Sequence, residues 1–428
     1  MRHVTGAVDG LQPGGRFSWM SLEPGSGGGG TGPRAPVGGG DGVGWLEGGA
    51  AASPCCLTWA SGPGTGCGEN RVWFRQRSCT VDGVMSNFVP GIELSRAFYH
   101  EVVAPLLPRV PHSAALIGPG SEVLAFDTAR SADHDWGPRV LLFTEAADAA
   151  EVEAKVVAGL PERFRDLPTV FGYHGEVRPG VRVTEPAAWL TGMLGFDPRA
   201  GMSLLDWLSV PWQRLAEVTS GEVFHDGLGA LEAARAALRW YPQDVWRYVL
   251  ACQWRRIAEE EPFPGRCGEV GDELGSAVEG ARLAREVMRL ALLLRRRYPP
   301  YAKWLGSALA RLPGSTELGE CLGSAVAARS WRDREEGLAG AYARVAALQN
   351  RVALAERLDE GVRGFFDRPF RVIGGDRFAE ALMASVSDPV IKGLPAAGCV
   401  DQLSDSTDLL MSPGRARAAT AAALGLTP

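Results

Sequence analysis

An α+β fold, in which a small α/β core precedes an α-helical bundle, is predicted from this 428-residue sequence. Three observations predict it. Short segments of strand length, the apolar runs Ala114 to Ile117 and Val140 to Phe143 and the candidate strand Val181 to Thr184, alternate with helical patterns up to about residue 240. From Pro242 onward the apolar spacing is helical almost throughout. The first 84 residues follow neither pattern. They hold twenty-two of the 55 glycines, including Gly27 to Gly30 and Gly38 to Gly40. Such a stretch buries too little apolar surface to offset its ordering entropy, so residues 1–84 are expected to be a disordered extension.

Past that extension, Ile92 to Leu107 reads as an amphipathic helix, with Leu94, Phe98, Val102 and Leu106 at helical spacing. Ala114 to Ile117 and Val140 to Phe143 are the first two strands, and Ala147 to Leu160 is a helix with a charged first turn. Val181 to Thr184 is the third strand. Glu222 to Asp226 is a short strand or turn before a helix from about Leu228 to Arg239. Beyond Pro242, Val245, Tyr248, Val249, Cys252 and Ile257 mark one stripe. Val278, Leu283, Val287, Leu290, Ala291 and Leu294 mark the inward face of a long helix over Leu274 to Arg297. Leu338 to Leu358 and Phe378 to Val386 add two more helices. The expected organisation is 1–84 extension, 85–240 α/β core and 241–428 helical bundle.

Composition sets bounds. The net charge of −6 argues against a polynucleotide-binding footprint, which shows as a basic domain. Only three lysines occur, Lys155, Lys303 and Lys392, and arginine supplies the rest of the 44 basic residues. The apolar run Leu290 to Leu294 is far too short to span a bilayer, and the N-terminus has no signal-peptide apolar core. No membrane partner and a cytoplasmic location are therefore expected. The eight cysteines show neither a disulfide framework nor zinc spacing.

Chemistry concentrates between Ala114 and Trp136. The apolar run ends in Gly118-Pro119-Gly120-Ser121, and eleven residues later comes Asp133-His134-Asp135. The glycines offer bare backbone N–H groups, and Ser121 a hydroxyl, to a phosphate. On a strand, Asp133 and Asp135 would share one face while His134 points away. Two convergent carboxylates repel unless a cation neutralises them, and they suit Mg²⁺. Phosphate beside Mg²⁺ points to phosphoryl or nucleotidyl transfer. Arg130 and Arg139 flank the pair, as phosphate ligands or as structural ion pairs.

Gly120-Ser121, the eleven-residue spacing and the Asp133-x-Asp135 pair resemble the signature of the polymerase-beta-like nucleotidyltransferase superfamily. Phe88 to Tyr99, Ser131 to Arg139, Gln253 to Ala258, Arg266 to Leu274 and Tyr301 to Trp304 also resemble a largely actinobacterial family of unknown function. That family has a nucleotidyltransferase-like core and a helical C-terminal domain. The second resemblance begins at Met85, which is therefore expected to be the biological start. The resemblances imply a small mixed sheet and the two-domain plan of kanamycin-type nucleotidyltransferases. They also imply a nucleoside triphosphate as donor, Mg²⁺ as cofactor, and a hydroxyl of a small molecule or protein as acceptor, with AMP as the default group transferred.

On that reading Asp133 and Asp135 hold Mg²⁺, Gly120 and Ser121 hold phosphate, and Glu185 stands nearest to the superfamily's third carboxylate, with Glu176 as competitor. Lys303, from Tyr298-Pro-Pro-Tyr-Ala-Lys-Trp304, reaches a triphosphate from the helical half, or else snorkels at the surface. Arg255, Arg256 and Arg266 are alternatives for the same task. Trp254 and Trp304 stack on a base or are buried in the bundle. Gly137-Pro138 interrupts the expected acidic strand and calls for a bulge or an edge position. That break leaves open a catalytically inactive protein of the same fold that binds a nucleotide or a protein partner. A third reading, transfer to RNA ends, is disfavoured by the acidic net charge.

Overall fold

The computed structural model describes residues 88–133, 136–173 and 176–427. The glycine-rich extension and Asp135 lie outside the described residues, as do the side chains of Asp133 and Glu176. The architecture is α+β, a mixed four-stranded sheet followed by helices.

The sheet strands are β1 (His112–Leu116), β2 (Val140–Thr144), β3 (Val181–Thr184) and β4 (Glu222–Asp226). Their order is β3-β2-β1-β4. β1 runs antiparallel to β2 and to β4, with Ala114 opposite Leu142 and Leu116 opposite Glu222; β2 runs parallel to β3, with Val140 beside Val181. The apolar runs do form strands, because both faces of the inner pair are covered. Ala114, Val140 and Leu142 pack with Leu94, Phe98, Val152 and Val156. Ala115, Ile117 and Phe143 face the other way, toward Trp189, Leu190 and the helices of the C-terminal half. This is the period-2 alternation of a strand buried on two sides. Leu142 is fully buried, and such a side chain contributes about 1.5–3 kcal/mol.

The first face is covered by α1 (Gly91–Phe98), which continues through a π-helical turn (Tyr99–Val103) to Ala104–Leu106, and by α2 (Ala149–Gly159). The π turn changes the expected stripe. One extra residue per turn advances the buried face, so after Leu94 and Phe98 the fully buried positions are Tyr99 and Val103, with Val102 partly buried against the same cluster.

On the second face stand α3 (Trp212–Thr219), α4 (Gln243–Glu260), α5 (Glu273–Leu294) and α6 (Trp331–Val352). One apolar cluster runs from Ala115 through Leu238, Tyr241 and Val245 to Leu424. α4 lies at its centre, with Tyr248, Val249 and Trp254 at no measurable exposure. On α5 the expected inward face holds from Leu283 to Leu294, but Val278 is 58% exposed. There the helix instead presents Ser276 and Gly280 to Arg334 of α6, which donates to Ser276 Oγ at 2.7 Å. Val278 is 200° round from Ser276 at 100° per residue, on the solvent side.

The Gly137-Pro138 pair needs neither bulge nor edge. Asp133 closes a short 3-10 turn (Ala129–Asp133), not a strand, and β2 begins only at Val140. The missing proline N–H is therefore outside the ladder.

Among the described residues no helix is long and apolar enough to cross a membrane. Cys252, Cys267, Cys321 and Cys399 are free.

Candidate functional site

β1 ends in the turn from Gly118 to Ser121. Because β1 and β2 are antiparallel, the chain leaves the sheet at Leu116 and returns through Asp133 to Val140 at the same end. Gly118 and Gly120 have φ of +92° and +148°, backbone that glycine adopts without strain. Gly118 N–H donates to Glu217 O at 2.9 Å, which ties the turn to α3.

Arg139, at the entry to β2, holds the turn. Its guanidinium donates to Pro119 O at 3.1 Å and pairs with the buried Glu122. A side chain at Gly120 would meet Arg139 Nη2 at 2.5 Å and Glu122 Oε1 at 2.7 Å, so close packing as well as conformation demands glycine there. Arg139 Nε is excluded from solvent and has no hydrogen-bond partner among the described residues. Asp127 fixes the rest of the loop: its Oδ2 accepts from Gly91 N at 2.7 Å and from Trp136 Nε1 at 3.1 Å.

The loop is then fastened to the helical half. Phe126 N–H donates to Ser121 O at 2.8 Å, and the Phe126 ring stacks on Trp304 with centroids 5.5 Å apart. Lys303 Nζ lies 4.5 Å from the Trp304 ring centroid, a cation–π contact that keeps the ammonium in solvent. Arg311 donates to Leu124 O at 3.2 Å and Ala125 O at 2.7 Å, and its guanidinium covers the Phe126 ring at 4.1 Å. The structure thus brings Lys303 to the loop that begins at Gly120 and Ser121.

Other expectations are placed elsewhere. Glu185 follows β3, and β3 is parallel to β2, so Glu185 stands at the end of the sheet marked by His112 and Thr144. That is the end opposite the Gly118–Ser121 turn. There Glu185 starts the helix Pro186–Leu194 and adds to the field on Arg199. Proline at the first helical position sets the extended conformation expected of Glu185, but strand direction sends it to the wrong end. The carboxylate that the topology does bring to the turn is Glu222, at the start of β4, which accepts from Arg96 Nε at 2.6 Å.

Arg255 is engaged within the bundle, 3.3 Å from Asp376 and 3.5 Å from Glu259. Arg256 pairs with Glu286, and Arg266 lies over Phe263. Trp254 is buried, stacked on Phe378 at 4.4 Å and donating to Gln349. Asp401 is a cap, accepting from Trp212 N at 2.8 Å; burial pushes its carboxyl up to about 6.

Among the described residues no group of three or more His, Cys, Asp or Glu side chains is arranged to hold a metal.

Sequence reasoning missed a cavity of about 650 Å³ beside the loop. It lies between Leu124 and Phe126, the ends of α3 and α5, and the helix Ala230–Ala237. Five arginines line it: Arg235, Arg239, Arg296, Arg297 and Arg311. The only local signal was the run Arg295 to Arg297 after the long helix, a common complement to the negative end of a helix dipole.

Comparisons with known proteins give two likenesses. The model of a family described as Domain of unknown function (DUF4037) matches residues 207–305. Among solved structures, a nucleotidyltransferase-like protein from Exiguobacterium sibiricum 255-15 matches with 12% identity, over 61% of this chain and 76% of that one, at a TM-score of 0.28. No curated protein matches the chain.

Proposed function

We propose that the protein is a nucleotidyltransferase that moves a nucleoside monophosphate, AMP by default, from a nucleoside triphosphate to a hydroxyl of a small molecule or protein. The observation that carries this reading is the placement of the glycine-serine turn. It closes β1 at the sheet end where the chain comes back through Asp133 into β2, and Trp304, next to Lys303 in the chain, stacks on Phe126 of the loop that follows.

In this reading the backbone at Gly120 and the Ser121 hydroxyl bind the phosphates, and Lys303 adds positive charge from the helical half. The acceptor oxygen attacks the α-phosphorus, the α–β anhydride bond breaks, and pyrophosphate leaves while the hydroxyl proton passes to solvent. Mg²⁺, held by Asp133 and Asp135, would supply neutralisation of phosphate charge. What the chain itself contributes is position and a fixed electrostatic environment. Arg255 and Glu185 have no part in this step, since one is paired within the bundle and the other lies at the opposite end of the sheet.

The position of Glu185 favours a second reading, a non-catalytic member of the same fold that binds the nucleotide without transfer. Both readings require nucleotide binding. Mg²⁺ with ATP is expected to raise the Tm, by an amount equivalent to about 2.7 kcal/mol at a hundredfold excess over Kd. Asp133→Asn and Asp135→Asn should abolish the shift while leaving the ligand-free protein as stable as the parent. A loss of several kcal/mol without ligand would make these carboxylates structural partners, and would count against both readings. An unchanged shift in both variants would leave only binding through Gly120, Ser121 and Lys303, and so the second reading.

A further inference from the structure

The arginine-lined cavity has a charge imbalance. Five arginines line it against one carboxylate, Glu232; of these, Arg296 also lies over the Trp246 ring at 4.7 Å, and Arg311 donates to Leu124 O and Ala125 O. Several arginines near the core elsewhere are paired: Arg214 with Glu217 at 2.8 Å, Arg247 with Asp244 at 2.8 Å, and three around Glu286. Among the described residues, none of Arg235, Arg239, Arg296, Arg297 and Arg311 forms an ion pair with a carboxylate.

Two of these arginines sit in places that stability alone disfavours. Arg235 Nη2 donates to Thr219 O at 3.1 Å, but its Nη1 is excluded from solvent and has no partner. Burial pulls the Arg235 pKa below its usual value, with Glu232 and Glu222 offsetting part of the effect. Arg296 has φ of +53°. It occupies the left-handed position that ends α5, where Arg297 N–H donates to Leu292 O at 2.9 Å and Arg296 N–H to Leu293 O at 3.1 Å. Glycine is the usual residue there, because it alone meets that backbone without strain. The negative ends of three helices account for basic residues singly, since Arg235 lies in the last turn of Ala230–Ala237, Arg296 and Arg297 follow α5, and Arg311 follows Leu305–Ala310, but not for all five lining one cavity.

We propose that this cavity is a binding site for a small molecule carrying two or more phosphate groups, separate from the Gly118–Ser121 turn. Planar guanidinium forks match phosphate oxygens in pairs, and convergent arginines from three elements suit a ligand with several anionic groups. A volume of about 650 Å³ falls within the usual range for small-molecule sites. None of the residues from Gly118 to Ser121 lines the cavity, whereas Leu124 and Phe126 do. The site therefore adjoins the turn without containing it. It does not depend on the transferase reading.

The test is titration calorimetry on the full chain with inorganic tripolyphosphate, and with ATP plus Mg²⁺ as a second arm. Tripolyphosphate is expected to bind, and Arg239→Ala and Arg297→Ala, both at exposed positions, should each weaken it by at least roughly tenfold, as for loss of a charge-assisted hydrogen bond. Arg296→Gly should weaken it similarly; glycine suits the φ of +53° but gives up the contact with the Trp246 ring, so affinity and not the Tm is the readout for this variant. Gly120→Val should leave tripolyphosphate affinity intact, and Arg239→Ala should leave ATP affinity intact. Three results overturn the proposal: no tripolyphosphate binding at millimolar concentration, binding unchanged in the arginine variants, or loss of ATP affinity in those variants. The last would make the cavity the seat of the nucleotide's own phosphates.

Discussion

Glu286→Ala is expected to destabilise the protein by about 3–5 kcal/mol, the usual effect of removing one partner from a buried ion pair. Glu286 has no exposed side-chain surface, and its carboxylate lies 3.2 to 3.4 Å from Arg285, Arg256 and Arg289. Gln253 Nε2 donates to it at 2.7 Å, and Gln402 Nε2 donates in turn to Gln253 Oε1 at 3.0 Å. Alanine would leave three guanidinium groups repelling one another and the Gln253 amide with only the backbone carbonyl of residue 286, at 3.1 Å, as acceptor. The arginines are 13–30% exposed, so they relax partly toward water, which places the effect near the lower end of the range. Urea unfolding monitored by tryptophan fluorescence measures it.

The pH dependence carries the sign of the same contacts. Burial alone would push Glu286 up, but Arg289, Arg256, Gln253 and Arg285 together hold it below the ordinary glutamate value. A depressed carboxylate stabilises fully above its unfolded pKa, and that contribution is lost as pH falls through the folded value. Glu261 works in the opposite direction. Burial pushes it up to about 7, against the pull of Gly375, Ile373 and Gly374 N–H, so its contribution is complete below 4.5 and is lost as pH rises through about 7. In Glu286→Gln the loss of stability on acidification should be shallower than in the parent.

Gly120→Val carries the largest expected effect on function. The new side chain would need the space of Arg139 Nη2 and Glu122 Oε1, at a φ of +148°. Backbone strain of this kind costs about 1–3 kcal/mol. More important, Arg139 would swing away from Pro119 O and release the turn. The Mg²⁺–ATP shift in Tm should vanish, with Kd raised by roughly tenfold or more, the loss of at least one charge-assisted contact to phosphate. A folded Gly120→Val protein with parental nucleotide affinity would show that the turn is not the phosphate site.

The sequence made the inner strands legible because strands buried on both faces leave short apolar runs, as at Ala114 and Val140, while the edge strand at Val181 shows as the alternation Val-Arg-Val-Thr. It made α4 and most of α5 legible through helical spacing. It could not show the π turn at Tyr99, which moves the buried stripe by one residue without any local marker. Nor could it show that Ser276 and Gly280, rather than Val278, are the inward face of α5, because the partner is an arginine from a helix more than fifty residues away. The end of the sheet at which Glu185 stands could not be read from the chain, because it is set by the parallel pairing of β3 with β2, which carries it to the end opposite the Gly118–Ser121 turn. The arginine cavity is built from segments spread over residues 124–312, so no motif announces it.

The central claim is that a nucleotide sits at the Gly120–Ser121 turn and gives up its monophosphate with the help of Asp133 and Asp135. The most direct measurement incubates the protein with α-labelled ATP, Mg²⁺ and cell extract, beside the Asp133→Asn, Asp135→Asn and Gly120→Val variants. The account predicts label on an acceptor with the parent protein and none with the three variants. Label on the same acceptor with both aspartate variants, or no transfer by a parent protein that binds ATP tightly, would contradict it.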